Sequence, residues 1–113
     1  MLYVRKTGYS GRILFLSVAL LTILGVMPAL AHTPLFSCWD NGDGTVSCEG
    51  GFSDGSSAAG TTIQVKDGNE TVIFSGKLDK FGELTFDRPE GRFTVTFDGG
   101  PGHSIVIRGE DIK

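Results

Sequence analysis

The residues with the clearest capacity for chemistry are two histidines, His32 and His103, the only ones in the 113-residue chain. His32 follows Ala29-Leu30-Ala31, which has the small residues that a signal peptidase accepts at a cleavage site. Cleavage after Ala31 makes His32 the N-terminal residue. An α-amine and an imidazole both supply neutral nitrogen near pH 7. Together they close one chelate ring on a metal ion.

Nitrogen ligands of this kind suit Cu(II), Ni(II) and Zn(II). The square-planar site of amino-terminal copper and nickel peptides needs a histidine at position three, but Pro34 stands there and has no N–H. His32 therefore needs ligands from elsewhere, and His103 is the natural third nitrogen. Candidates for a fourth ligand are Asp40, Glu49, Asp54 and Asp98. The alternative is that neither histidine binds metal. His32 is then only the first residue after the cleavage site, and His103 is a polar residue at the start of the last strand.

The first 31 residues have the three parts of a secretory signal. Arg5, Lys6 and Arg12 precede a nearly unbroken apolar run over residues 13–27, and Pro28 then ends the helix. We predict a signal peptide over 1–31 and a periplasmic or secreted domain over 32–113, with no stable membrane insertion after cleavage. One alternative is an uncleaved anchor over residues 13–30, since about 18 apolar residues suffice for a span. Another is a lipoprotein, because residues 35–38, which end in Cys38, faintly resemble a lipobox, although Phe36 is too bulky for that motif.

The charge of the predicted domain excludes one class of partner. Three basic residues lie within 1–31, which leaves seven against all thirteen acids in 32–113, a net charge of −6. Nucleic-acid binding requires Lys and Arg to neutralise phosphates, so no nucleic-acid partner is expected. The charge fits cation handling or plain solubility.

Two cysteines, Cys38 and Cys48, lie on either side of a turn rich in glycine. If residues 42–44 form a three-residue hairpin loop, these cysteines face each other. An exported chain enters an oxidising compartment, so the prediction is a disulfide. The alternative is a pair of thiolate ligands for a soft metal.

The domain shows short alternating runs separated by glycine-rich turns, which is typical of an all-β fold. We predict a small Greek-key β-sandwich of about seven strands, preceded by the signal-peptide helix. The predicted strands cover 35–39, 45–48, 61–66, 71–78, 83–87, 92–98 and 103–108, with a connecting loop over 50–60. Their inward residues are expected to be Ile63, Val65, Val72, Phe74, Leu78, Leu84, Phe86, Phe93, Val95, Phe97, Ile105 and Ile107. Trp39 is interpreted as a packing residue of the core or the disulfide.

The sequence shows no combination of residues that is typical of a catalytic site. No Ser/His/Asp or Cys/His set is formed if the cysteines are bridged. The glycine-rich run at 99–102 lacks the Lys and the following helix of a phosphate-binding loop. The sequence therefore predicts a binding protein and not an enzyme.

Several short motifs carry a resemblance to a known family. They lie at 51–55, 63–67, 76–79, 82–86, 89–91 and 102–103. On these, residues 32–107 resemble carboxypeptidase-regulatory-like domains, which are transthyretin-like (prealbumin-like) β-sandwiches. More narrowly, they are similar to the exported domain of nickel/cobalt energy-coupling-factor transporter accessory proteins, which begin with a histidine after the signal and carry a Gly-His near the last strands. Copper-resistance periplasmic carriers are a looser parallel.

The resemblance implies a periplasmic carrier or transporter accessory that binds Ni, Co or Cu, with His32 and His103 as ligands and a membrane metal transporter as partner. The accessory proteins generally carry a membrane segment after this domain, and this chain ends at Lys113, so a free-standing soluble form is expected. Two rivals stay open. One is a structural or protein-interaction module without metal. The other is a copper enzyme with an N-terminal histidine brace.

Overall fold

The computed structural model describes residues 33–113, so the predicted signal peptide and His32 lie outside the described residues. Seven strands follow one another and are succeeded by a 3-10 helix, Gly109–Asp111. The strands are β1 (Pro34–Asp40), β2 (Thr45–Phe52), β3 (Thr62–Asp67), β4 (Val72–Lys77), β5 (Glu83–Asp87), β6 (Phe93–Asp98) and β7 (Ser104–Arg108). Within 33–113 no helix is long and apolar enough to cross a membrane.

The strands form two antiparallel sheets, one of three strands in the order β1-β2-β5 and one of four in the order β4-β3-β6-β7. Hairpins join β1 to β2, β3 to β4, and β6 to β7. The other connections cross between the sheets, so that β2 pairs with β5 and β3 with β6. The predicted seven-stranded Greek-key sandwich is confirmed.

The core lies between the two sheets and is built by alternation along the strands. Ile63, Val65, Val95 and Phe97 are completely buried, as predicted from the period of two. Predicted residues at the margin of this core are Phe74, Leu84, Ile105 and Ile107, which are partly buried and pack against it. No polar or charged side chain of the described residues is buried.

Val72 is the inward prediction that is wrong. Val65 pairs with Phe74 but Lys66 pairs with Val72, which leaves Ile73 as an extra residue, a β-bulge. The extra residue reverses the alternation, so Val72 lies on the same side as Lys66 and is 45% exposed.

Trp39 is also placed differently from its interpretation as a packing residue. It lies on the outer side of β1 with 37% of its surface exposed. Successive residues of a strand point to opposite faces. Because Cys38 faces inward toward the buried Cys48, its neighbour Trp39 faces solvent.

The β1–β2 hairpin has the predicted register. Cys38 pairs directly with Cys48 at a Cα–Cα distance of 4.1 Å, and a disulfide joins them. The predicted disulfide is therefore confirmed, and the alternative of a thiolate metal site is wrong. At the turn, the Thr45 hydroxyl and N–H donate to the Asp43 carboxylate and lower the pKa of that carboxyl.

Reduction of this disulfide is expected to lower the free energy of unfolding by about 3 kcal/mol, because a cross-link over ten residues removes loop-closure entropy from the unfolded chain. Urea denaturation with and without a reductant measures the loss. A Cys38→Ala/Cys48→Ala variant serves as the control and should not respond to the reductant. An unchanged denaturation midpoint in the reduced native protein would contradict the prediction.

The C-terminal segment closes one end of the sandwich. The Arg88 guanidinium donates to Asp40 Oδ2 at 2.8 Å and to the carbonyl oxygens of Ile112 and Gly109 at 3.3 and 3.2 Å. These contacts define the Arg88 end. Because β1 begins at Pro34 and ends at Asp40, its first residues lie at the opposite end, where β7 begins.

Candidate metal centre

His103 sits on a tight loop that joins β6 to β7. The Gly99 N–H donates to the His103 carbonyl at 3.1 Å, and the His103 N–H donates to the Gly100 carbonyl at 2.9 Å. Gly100 and Gly102 have φ values of 98° and 76°, in the left-handed region that favours glycine. The loop sequence therefore fixes the backbone from which the imidazole projects.

A hydrogen bond determines which nitrogen of this imidazole is free. His103 Nδ1 lies 3.0 Å from the carbonyl oxygen of Pro101. A carbonyl oxygen only accepts, so Nδ1 carries the proton and Nε2 keeps its lone pair in the neutral ring. Metal-binding histidines generally donate their other ring N–H in this way. The half-buried ring therefore has one nitrogen suited to coordinate a metal ion.

The core holds the plane of the ring. The His103 imidazole and the Phe52 ring form a T-shaped pair, with centroids 6.5 Å apart and planes at 79°. Phe52 packs edge-on against the fully buried Phe97 at 6.1 Å. The orientation of His103 thus depends on a chain of aromatic contacts that reaches the centre of the sandwich.

The chain enters the sandwich at this same place. The Thr33 N–H donates to Ser53 Oγ at 3.2 Å, and the Ser53 N–H donates to the Thr33 carbonyl at 2.9 Å. Ser53 directly follows Phe52, which contacts His103. We call this region, defined by Thr33, Phe52, Ser53 and His103, the His103 end.

His32 lies outside the described residues, so its contact with His103 stays a prediction. The described residue nearest to it in sequence, Thr33, is held by its two hydrogen bonds to Ser53.

The candidate acidic ligands divide between different parts of the fold. Asp40 lies at the Arg88 end in an ion pair, and Glu49 lies on the outer face of the three-stranded sheet. Asp54 follows Ser53, and Asp98 precedes the loop of His103. Asp54 and Asp98 are thus the acids that the fold brings to the His103 end. Within residues 33–113, no group of three His, Cys, Asp or Glu side chains stands close enough to hold a metal ion.

Phe52 and Ser53 are the residues of this region that sequence reasoning missed. The glycines of residues 50–60 predict a connecting loop, whereas β2 extends to Phe52. Packing explains Gly50: an added Cβ would lie 2.8 Å from Leu78 Cδ1 and 2.9 Å from Phe97 Cε2. The sequence signal that could have predicted the longer strand was Phe52, an aromatic residue directly after Gly50 and Gly51.

Comparison with known proteins gives no relative for this chain. No family model, no curated protein and no solved structure matches it, so the resemblance to carboxypeptidase-regulatory-like domains stays a prediction from the chain's own residues.

Proposed function

We propose that this protein is exported and binds one divalent transition metal ion, Ni(II), Co(II) or Cu(II), at the His103 end. The ligands are His103 Nε2 and the α-amine and imidazole of His32 after cleavage. The protein carries or buffers the ion outside the cytoplasm, as a periplasmic carrier or transporter accessory. The observation that carries this proposal is the hydrogen bond between His103 Nδ1 and the Pro101 carbonyl, which leaves His103 Nε2 free to bind a metal ion. Thr33, the residue after His32, is hydrogen-bonded to Ser53 at the same end of the sandwich.

The surroundings of the ligands support exchange of the ion and not its permanent burial. His103 is only half-buried, and both Thr33 and Ser53 are exposed. A fourth position is available to a carboxylate of Asp54 or Asp98, or to a ligand on a receiving transporter. The net charge of −6 in residues 32–113 attracts cations toward such a site. The disulfide fits the oxidising compartment that the proposal requires.

A second candidate function, a protein-interaction module without metal, rests on a different observation. Several large apolar side chains of the described residues are exposed, among them Leu35 at 55%, Phe81 at 71% and Val106 at 59%. Single exposed apolar residues are common, but contiguous ones form contact surfaces for other proteins.

Metal titration of the processed protein separates these functions. Calorimetry compares the form that begins at His32 with the same form acetylated at its α-amine. We expect acetylation to weaken affinity at least about tenfold, because it converts the chelating α-amine to an amide. Native mass spectrometry first establishes the true N-terminal residue. Equal affinities for the two forms would refute the participation of the α-amine, and absence of binding by both would favour the interaction module.

A further inference from the structure

Charge is distributed unequally between the two sheets. Among the seven described strands, every Lys or Arg lies in the four-stranded sheet, namely Lys66, Lys77 and Arg108. The strands of the three-stranded sheet carry none. Their charged residues are all acids: Asp40, Glu49, Glu83 and Asp87. The strands of the four-stranded sheet also carry the acids Asp67 and Asp98, so this side has mixed charge, whereas the three-stranded side is acidic.

The cations border a groove on the outer face of the four-stranded sheet. Thr94 lies directly between Lys66 and Arg108 in the strand register, and Thr96 pairs with Val106 in the next row. These residues belong to the lining of a cavity of about 730 Å³. We call the surface formed by Lys66, Arg92, Thr94, Thr96, Val106 and Arg108 the groove.

The groove offers unpaired positive charge and an apolar contact. Lys66 and Arg92 form no ion pair with any residue of 33–113. Arg108 forms ion pairs with Glu110 and Asp111, but these pairs are well exposed, so each contributes little interaction energy. The apolar contact is Val106, which lies on the floor of the groove and is 59% exposed.

Acids that line the groove reduce its positive charge only in part. Asp67 Oδ1 accepts the backbone N–H groups of Asn69 and Thr71, so this carboxylate is committed to the β3–β4 turn. Glu110 faces Arg108. The remaining acid of the lining is Glu70, against the unpaired Lys66 and Arg92.

The opposite side of the sandwich has complementary features. Glu49 pairs directly with Glu83 across β2 and β5, and like charges in such positions destabilise a sheet. On the same outer side, Leu35 is 55% and Trp39 is 37% exposed. We call the surface formed by Leu35, Trp39, Glu49 and Glu83 the acidic face.

We propose that the groove of one copy of this protein binds the acidic face of a second copy. Lys66, Arg92 and Arg108 then neutralise Glu49 and Glu83, while Val106 contacts Leu35 or Trp39. This arrangement is heterologous, so each bound copy keeps one free groove or face and the contact extends into short chains. The proposal uses no residue of the His103 end and requires no metal.

The size of the surfaces predicts weak, salt-dependent association. Three strands about 4.8 Å apart and about five residues long, at about 3.4 Å each, present roughly 14 by 17 Å. This is well below the roughly 800 Å² per partner of a standard interface. Electrostatic attraction therefore has to contribute much of the affinity, and screening is expected to weaken it.

Sedimentation velocity over a range of concentrations tests the proposal, with a chelator present. Self-association is expected at about 0.1 M salt, and at least about tenfold weaker association at about 1 M, where the screening length falls to about 3 Å. Two charge-reversed variants, Lys66→Glu/Arg108→Glu in the groove and Glu49→Lys/Glu83→Lys on the acidic face, are each expected to be monomeric. Lys80→Glu, on the β4–β5 turn and a member of neither surface, is the control and should associate like the native protein.

Mixing the two variants gives the decisive result. The groove variant keeps its acidic face and the face variant keeps its groove, and the two reversed surfaces are again of opposite charge, so the mixture should associate although neither variant does so alone. Thermal melting verifies that each variant is folded, and glutamine replaces the reversed charges if one is not. A native protein that stays monomeric, variants that associate normally, or folded variants that do not combine would each overturn the proposal. A closed symmetric dimer would also overturn it.

Discussion

Replacing His103 with asparagine is expected to lower the affinity for Ni(II), Co(II) or Cu(II) at least about a hundredfold, with almost no loss of stability. An asparagine amide N–H occupies roughly the position of imidazole Nδ1–H and can still donate to the Pro101 carbonyl. It has no counterpart of Nε2, so the ligand is lost while the loop is retained. A hundredfold change corresponds to about 2.7 kcal/mol of binding free energy.

Calorimetric titration of the processed protein measures this loss, and thermal denaturation without metal measures stability. Metal at about a hundred times its dissociation constant should stabilise the native protein by about 2.7 kcal/mol and the variant far less. Asp43→Asn is the matched control, because it removes a carboxylate from the β1–β2 turn at the other end of β1. Native affinity in His103→Asn would show that His103 is not a ligand.

The sequence was sufficient to predict the hairpin that carries the disulfide. A glycine-rich turn of known length places Cys38 opposite Cys48, and the structure has this register. It also contained the signal that Trp39 faces outward, since a residue next to an inward cysteine must point away from the core. The bulge at Ile73 had no such signal, because alternation alone does not reveal an extra residue in a strand.

The candidate site was predictable only where local sequence determines local structure. The loop before His103 follows from its glycines, and two of them have positive φ. The aromatic support of the ring does not follow, because Phe52 and Phe97 belong to different sheets and meet through the packing of the sandwich. From the sequence alone, Gly50 indicates a loop. In the structure it lies within β2, where the absence of a side chain lets Leu78 and Phe97 pack closely against its backbone.

Replacing Phe97 with alanine is expected to lower the free energy of unfolding by about 3–5 kcal/mol, because it empties the centre of the core. Phe97 is completely buried and packs against Phe36 at 5.3 Å and Phe52 at 6.1 Å. Urea denaturation measures the loss. Phe81→Ala, at a ring that is 71% exposed, should change stability by less than about 0.5 kcal/mol. A loss below about 1 kcal/mol for Phe97→Ala would contradict the described core.

The same substitution distinguishes general destabilisation from loss of support for His103. Phe86→Ala removes another buried ring, which stacks on Phe74 at 5.6 Å and lies toward the Arg88 end, so it is the matched control. Under conditions in which both variants are folded, we expect metal affinity to fall in Phe97→Ala but not in Phe86→Ala, because Phe97 packs against the Phe52 ring that contacts His103 and Phe86 stacks on Phe74 instead. Equal affinities in both variants would mean that the glycine loop alone positions the imidazole.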